Sequence, residues 1–333
     1  MISLIICSKY DHLSDSLIKN IDQTIGTGYE IVHIDNSQHQ YSIYSAYNEG
    51  VKHSNGDILC FMHEDLYFHT QDWGKKVCEY MQDDSIGILG IAGTKIIPSK
   101  GDIRMCPTFK GYQYDGITTL ETPSRYVVSK KRYTPTRRLE EVAAIDGLWF
   151  CIPKSLFSDI SFDEYTFKGF HLYDVDTSMQ VIQQGRKIMI CDDISIEHKS
   201  LGVFSMVFYD NLLKFIKKWE RKLPVQRGIC FNEAELSSIS DKAERLLRNR
   251  IEKDRAVLSV IKKQKTGNTN YSSEEKRAID RTIKKYAKYN YQNTDNIADA
   301  FKMLGKLLRE RPVSFSLQLD IIGKFLYYGV IHR

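Results

Sequence analysis

The amino-acid sequence predicts an α/β fold with a mostly parallel, doubly wound sheet and a helical C-terminal segment, and three observations predict it. Short apolar runs alternate with helix-patterned stretches through the first two hundred of 333 residues. The runs are largely continuous, as expected of strands covered on both faces. Polar clusters directly follow the first three runs, at the strand ends where open α/β sheets bind ligands.

The elements follow in order. Ile2–Cys7 is apolar apart from Ser3 and reads as a buried strand. Leu13–Ile25 carries apolar residues at 13, 17, 18, 21 and 25, the spacing of one helix face. Tyr29–Ile34 is a second strand, and Ile43–Val51 a helix that stops near Ser54-Asn55-Gly56. Ile58–Met62 is a third strand running into His63-Glu64-Asp65. Trp73–Met81 is a helix and Ile86–Ala92 a fourth strand. This βαβαβαβ order calls for parallel pairing. From Gly93 to Arg138 the rhythm breaks into a stretch rich in Gly, Pro, Thr, Tyr and Arg, which suits loops and a hairpin over an active site as well as mere decoration. Strand character returns at Leu148–Ile152 and Lys187–Cys191, with helices at Val175–Gln184 and Val203–Trp219. Beyond Asn232 the pattern is helical throughout: Glu233–Lys263, Ser273–Tyr289, Asn296–Arg309 and Ser316–Tyr328.

Composition narrows the class. With 42% hydrophobic residues, 27% charged and only 7 prolines, the chain is neither disordered nor a low-complexity repeat, and its length suits about two domains. No apolar run approaches the roughly 20 residues that cross a bilayer, and the first residues lack a basic region, so a cytoplasmic protein without a signal peptide is expected. The seven cysteines are scattered without a C-x-x-C pair, which argues against a structural zinc site and for reduced, mostly core thiols. The net charge of +5 is uneven: residues 240–311 hold 19 Lys and Arg against 10 Asp and Glu, the remainder 28 against 32. The expected division is therefore a domain over residues 1–228 and a basic helical domain over 229–333.

The strand-end clusters are Ser8, Lys9, Tyr10 and Asp11, then Asp35-Asn36-Ser37, then His63-Glu64-Asp65. Neither G-x-G-x-x-G nor G-x-x-x-x-G-K-[ST] is present, which excludes the usual dinucleotide and P-loop cradles; side chains and a metal must hold any nucleotide. The glycine-rich, Arg- and Lys-bearing loop of nucleotidyltransferases is missing as well.

Ile5-Ile6-Cys7-Ser8, Ile34-Asp35-Asn36-Ser37, Tyr47-Asn48-Glu49-Gly50 and Asn55 through Asp65 resemble a GT-A glycosyltransferase of family 2, the inverting group that uses nucleotide-sugar donors, over about residues 1–220. The resemblance implies a GT-A fold (Rossmann-like, mostly parallel central sheet) and assigns roles. Asp35 and Asn36 hold the nucleobase. His63-Glu64-Asp65 replaces the D-x-D motif, its first acid exchanged for His63 and its last acid, Asp65, kept as the ligand of Mn²⁺ or Mg²⁺. Asp146-Gly147-Leu148-Trp149-Phe150 resembles the glycine-containing strand under the donor sugar. Phe162-Asp163-Glu164 and Tyr173-Asp174-Val175-Asp176 resemble the segment carrying the general base, which maps to Asp174, with Tyr173 standing where the family has Glu. His198 maps to a histidine on the metal or diphosphate. Donor binding is thus expected of Ser8, Tyr10, Asp35, Asn36, Asn48, His63, Glu64, Asp146 and Gly147, with Asp65 and His198 on the metal.

The bare residues allow plainer roles. Asp65 also suits a helix N-cap or loop carboxylate, His198 a structural histidine, Asp174 and Asp176 helix caps, and Lys199 a solvated surface as well as a phosphate. Arg104, Arg125, Lys130, Lys131, Arg132, Arg137 and Arg138 read mostly as a solvated face, with one or two reaching a diphosphate or anionic acceptor. Tyr112, Tyr114, Tyr126 and Tyr133 suit sugar stacking or a tyrosine-rich hairpin. The expected function is transfer of a sugar from a nucleoside-diphosphate donor, UDP above all, to a glycan or lipid-linked acceptor. The alternative is a GT-A-like sugar-nucleotide or glycan-binding module without turnover, which the departures at His63 and Tyr173 would suit. No nucleic-acid signature accompanies the basic helices, for which contact with the inner face of a membrane is the further expectation. Phe315–Tyr328 reads as packing in a bundle or across a homo-oligomer.

Overall fold

A computed structural model describes residues 1–110, 113–114, 126–127, 139–198, 206–265 and 270–278. In chain order the elements are β1 (Ile2–Ser8), α1 (Asp15–Thr24), β2 (Tyr29–Asp35), α2 (Ile43–His53), β3 (Ile58–Met62), β4 (Leu66–Phe68), α3 (Trp73–Tyr80), β5 (Ile86–Gly90), β6 (Gly93–Thr94) and β7 (Ile96–Ile97). There follow β8 (Gln113–Tyr114), β9 (Tyr126–Val127), β10 (Leu139–Val142), β11 (Ala144–Ile145), β12 (Trp149–Pro153), α4 (Tyr173–Gln183), β13 (Lys187–Cys191), β14 (Ile196–His198), α5 (Met206–Trp219), β15 (Val225–Gln226) and α6 (Glu233–Lys265).

The central sheet has seven strands in the order β10-β13-β5-β12-β3-β1-β2. β1 pairs in parallel with β2 and β3, and β13 with β5, while β12 runs antiparallel between β3 and β5. Five strands therefore point one way, and only β12 and the edge strand β10 oppose them. The mostly parallel sheet matches the predicted class. The wedge of β12 between β3 and β5 does not follow from the apolar pattern, which carries no strand direction.

Ser14 caps α1 by accepting the Leu17 N–H at 3.3 Å. Ser42 and Ser45 form a reciprocal capping box at the start of α2. Gly50 lets α2 lie against β1, because a Cβ there would meet the Ile5 side chain at 2.3 Å. On one face of the sheet, Leu4, Ile6, Cys60, Met62 and Cys151 pack with Phe68, Trp73 and Trp149. On the other, Phe61 lies 4.9 Å from both Tyr47 and Phe162, ring to ring, and 5.1 Å from Phe150. Burying each such side chain is worth about 1.5–3 kcal/mol, which fixes the strand ends that carry the site.

In a second sheet, β4-β14-β9-β8, the two described strands of the irregular stretch, β8 and β9, pair antiparallel. Tyr112, Arg125, Lys130, Lys131, Arg132, Tyr133, Arg137, Arg138 and Lys199 lie outside the described residues, as do the helices expected at Asn296–Arg309 and Ser316–Tyr328. All seven cysteines are free; Cys60, Cys106, Cys151 and Cys191 are buried, whereas Cys230 is exposed rather than in the core. By compactness, one unit comprises Met1–Tyr114, Tyr126–Ser200 and Met206–Leu247, and the other Asp115–Arg125, Leu201–Ser205 and Arg248–Arg333. In the second unit Lys263 pairs with Glu275 at 2.7 Å. No helix among the described residues is long and apolar enough to cross a membrane.

Candidate active site

The parallel strands β1, β2 and β3 bring the three predicted clusters to one edge. Ser8 lies opposite Asp35 in the β1–β2 register. Its hydroxyl donates to the Glu64 carboxylate and accepts the Tyr10 N–H at 3.0 Å. Lys9 approaches the same carboxylate at 3.9 Å. Asp35 is exposed at the end of β2, and the Ser37 N–H, 2.8 Å from its Oδ1, holds its pKa below the usual carboxylate value. Tyr10 is 56% exposed.

Two residues expected at the nucleotide spend their side chains on the scaffold. The Asn36 amide donates to the Tyr41 carbonyl at 3.0 Å and accepts the Tyr41 N–H at 2.9 Å, closing the loop after β2. Asn48 makes the same pair of bonds to the Phe162 backbone, at 2.9 and 3.0 Å, and reaches Glu164 at 3.0 Å, fastening α2 to the segment before α4.

His63, Asp65 and His198 converge. β4 starts one residue after Asp65 and pairs antiparallel with β14, so that His198 sits opposite Leu66. His198 Nε2 is 3.2 Å from Asp65 Oδ1 and 3.3 Å from His63 Nδ1. Among the described residues this is the one group of three such side chains placed to hold a metal ion, with ligand atoms all within 4.8 Å of one another. Bonds of about 2.1 Å at right angles put neighbouring donor atoms roughly 3 Å apart, so the spacing fits a bound divalent ion. Burial, reinforced by His198, pulls the His63 pKa down to about 4 and keeps the imidazole neutral, the form that binds metal. The structure thus groups His63 with Asp65 and His198, whereas the sequence reading had placed it on the donor nucleotide.

Across the site lie the turn before β12 and the start of α4. Leu172 adopts φ 74°, ψ 3° just ahead of α4. That conformation is strained for a branched side chain, by about 1–3 kcal/mol, and it aims the first turn of the helix. The Tyr173 hydroxyl donates to the Gly147 carbonyl at 2.9 Å and lies 3.2 Å from His63 Nε2. Gly147 has to be glycine, since a Cβ would stand 2.4 Å from that hydroxyl. The Gly147 N–H donates to Asp174 Oδ2 at 2.8 Å, and the Val175 N–H to Asp174 Oδ1 at 2.9 Å. Burial and then the charge of Asp146 push the Asp174 pKa up to about 7, against the opposing pull of Arg104 and these two N–H groups. A carboxylate at that value is matched to proton transfer near neutrality.

Asp176, two residues on, is different. It is 1% exposed and bonded to Lys218 at 2.8 Å, Trp219 at 2.7 Å and Gln180 at 2.9 Å, which marks it as a packing group.

Arg104 does not belong to a solvated face. It forms a bidentate pair with buried Asp102, at 2.8 and 3.1 Å, beside the Phe208 ring, and its charge acts on both Asp146 and Asp174. The same guanidinium adds to burial in pulling the His171 pKa down to about 4. Phe170, 48% exposed, lies 5.5 Å from His63 and 5.9 Å from Tyr173, ring to ring. The sequence carried no signal for Phe170 beyond its residue type, and none that set Arg104 apart from the other basic residues of its stretch.

Comparison with known proteins adds the following. A family profile described as "Glycosyltransferase like family" matches residues 3–207. Among curated proteins none matches the chain. The crystal structure of S. aureus TarS 1–349 in complex with UDP is similar at 14% identity and a TM-score of 0.44, over 98% of this chain and 88% of that one. A crystal structure of GalNAc-T7 with UDP, GalNAc and Mn²⁺ is similar at 13% identity and a TM-score of 0.39, over 59% of this chain and 42% of that one.

Proposed function

The chain belongs to the glycosyltransferase-like family, and from that premise we propose that it is an inverting, metal-dependent transferase moving a sugar from a nucleoside-diphosphate donor, with UDP as nucleotide, to the hydroxyl of a glycan or lipid-linked acceptor. One observation carries the reading. A metal-capable trio and a carboxylate of raised pKa are joined by the short relay His63–Tyr173–Gly147–Asp174, with steps of 3.2, 2.9 and 2.8 Å.

A divalent ion held by His63, Asp65 and His198 would neutralise the departing diphosphate. Two imidazoles and one carboxylate favour Mn²⁺ or a later transition ion over Mg²⁺, which prefers oxygen ligands. Asp35 supports the base of the nucleotide from the end of β2, and Ser8 orients Glu64 beside it. Asp174 accepts the proton of the acceptor hydroxyl as that oxygen bonds to the anomeric carbon. The bond from that carbon to the diphosphate oxygen breaks in the same displacement, the pair of electrons leaves with the nucleotide, and configuration inverts. The raised pKa suits Asp174 to take the proton without binding it irreversibly. The GT-A-like binding module without turnover stays as the second reading, on the replacement of the family's acidic residues by His63 and Tyr173.

Calorimetric titration of UDP, GDP and dTDP with and without Mn²⁺, on wild type and Asp65→Ala, tests the proposal. The expected result is micromolar UDP binding that needs Mn²⁺ and vanishes in the variant. UDP binding equal with and without metal, or none at all, would overturn it.

A further inference from the structure

We propose that Tyr173 is a positioning residue for the metal site: it fixes the tautomer of His63 so that Nδ1, not Nε2, is the atom offered to the ion. This deepens the metal-site reading above and rests on it. A phenol has a single proton to donate. The Gly147 carbonyl 2.9 Å away can only accept, so the proton of Tyr173 goes there. The oxygen of Tyr173 is then an acceptor toward its other neighbours, and His63 Nε2 at 3.2 Å has to carry the hydrogen. Tyr47 is buried with its ring 5.5 Å from that of Tyr173 and closes one side of the packing around it. With Nε2 protonated, the free lone pair of His63 lies on Nδ1, the nitrogen that faces His198 Nε2 at 3.3 Å.

Gly147 is part of the device, because any side chain there would displace the hydroxyl. Tyr173 is 4% exposed and ringed by Tyr44, Tyr47, Phe150 and Phe170, so neither the ring nor its oxygen is free to turn away. An acid in its place would present only acceptors when ionised, repelling the Gly147 carbonyl. A tyrosine bridges a carbonyl and an N–H at once. Outer partners of this kind set ligand tautomer and orientation, and losing one typically weakens metal binding about 10–100-fold.

The test has two readouts that do not depend on turnover. In wild-type protein free of metal, nitrogen-15 NMR of the histidine side chains should show His63 neutral with hydrogen on Nε2; hydrogen on Nδ1 would overturn the inference. Mn²⁺ titration followed by electron paramagnetic resonance should show Tyr173→Phe binding about 10–100-fold more weakly than wild type, with no further loss when the substitution is made in His63→Ala. Equal Mn²⁺ affinity in wild type and Tyr173→Phe would overturn the inference while leaving the metal site standing. Failure of the wild type to bind Mn²⁺ at all would overturn the metal-site reading and with it the ligand role of Nδ1.

Discussion

At the ends of β1 and β2, Asp35 and Tyr10 stand exposed, and the Asp35 carboxylate accepts the Ser37 N–H of the turn that follows it. Between β12 and α4, by contrast, Gly147, Tyr173 and Asp174 lock one another through backbone hydrogen bonds, behind a strained Leu172. The two regions are thus built differently. An exposed carboxylate in a solvated turn can recognise a ligand that arrives already shaped, at little structural cost. A carboxylate whose pKa is raised by burial and by Asp146 needs a rigid frame, because a small displacement toward water would return it to its ordinary value.

That contrast predicts separable effects. The largest belongs to Asp174→Asn, expected to lower turnover by about 10²–10⁴-fold, the usual contribution of general-base catalysis. Nucleotide and Mn²⁺ affinity should stay close to wild type by calorimetry. A comparable loss of nucleotide binding would erase the distinction between the two regions.

Next comes Asp176→Ala, whose carboxylate is buried against Lys218 and Trp219. Removing one partner of a buried pair costs about 3–5 kcal/mol. A value near the low end is expected here because Lys218 keeps Asp163 at 2.7 Å. Denaturant unfolding should register that loss, and the pH dependence of turnover should not change. The smallest effect is that of Asp35→Ala. Loss of one solvent-exposed hydrogen-bonded contact should weaken UDP binding roughly fivefold and leave the rate at saturating donor unchanged.

The exposed side and the strand scaffold were legible in the sequence for the same reason. The continuous apolar runs at Ile2–Cys7 and Ile58–Met62 report burial on both faces, and the polar residues after them mark the strand ends. Helix limits came within a few residues, as at α4, expected from Val175 and observed from Tyr173. The pairing of His63 with His198 was not legible, because 135 residues separate them and the β4–β14 register joins them. Nor was the Tyr173–Gly147 bond, since nothing in a local pattern shows a left-handed Leu172 or a carbonyl waiting 26 residues earlier. Arg104 was not singled out from the other basic residues of its stretch, because that stretch has no period from which to infer burial; its partner, Asp102, is only two residues away. Asn36 and Asn48 show the opposite limit: their place in the motifs was plain, but the backbone groups that occupy their amides were not.

The central claim is that the metal trio and Asp174 act on one substrate, and the rate of UDP release from a UDP-sugar as a function of pH, at saturating Mn²⁺, tests it most directly. Asp174 must be ionised to accept a proton, and its pKa is pushed up to about 7. The rate should therefore fall about tenfold per unit as pH drops below 7 and level off above it. Replacing Mn²⁺ with a chelator should abolish release across the whole range. A rate that stays flat from about pH 5 to about pH 9, or release that survives the chelator, would contradict the account.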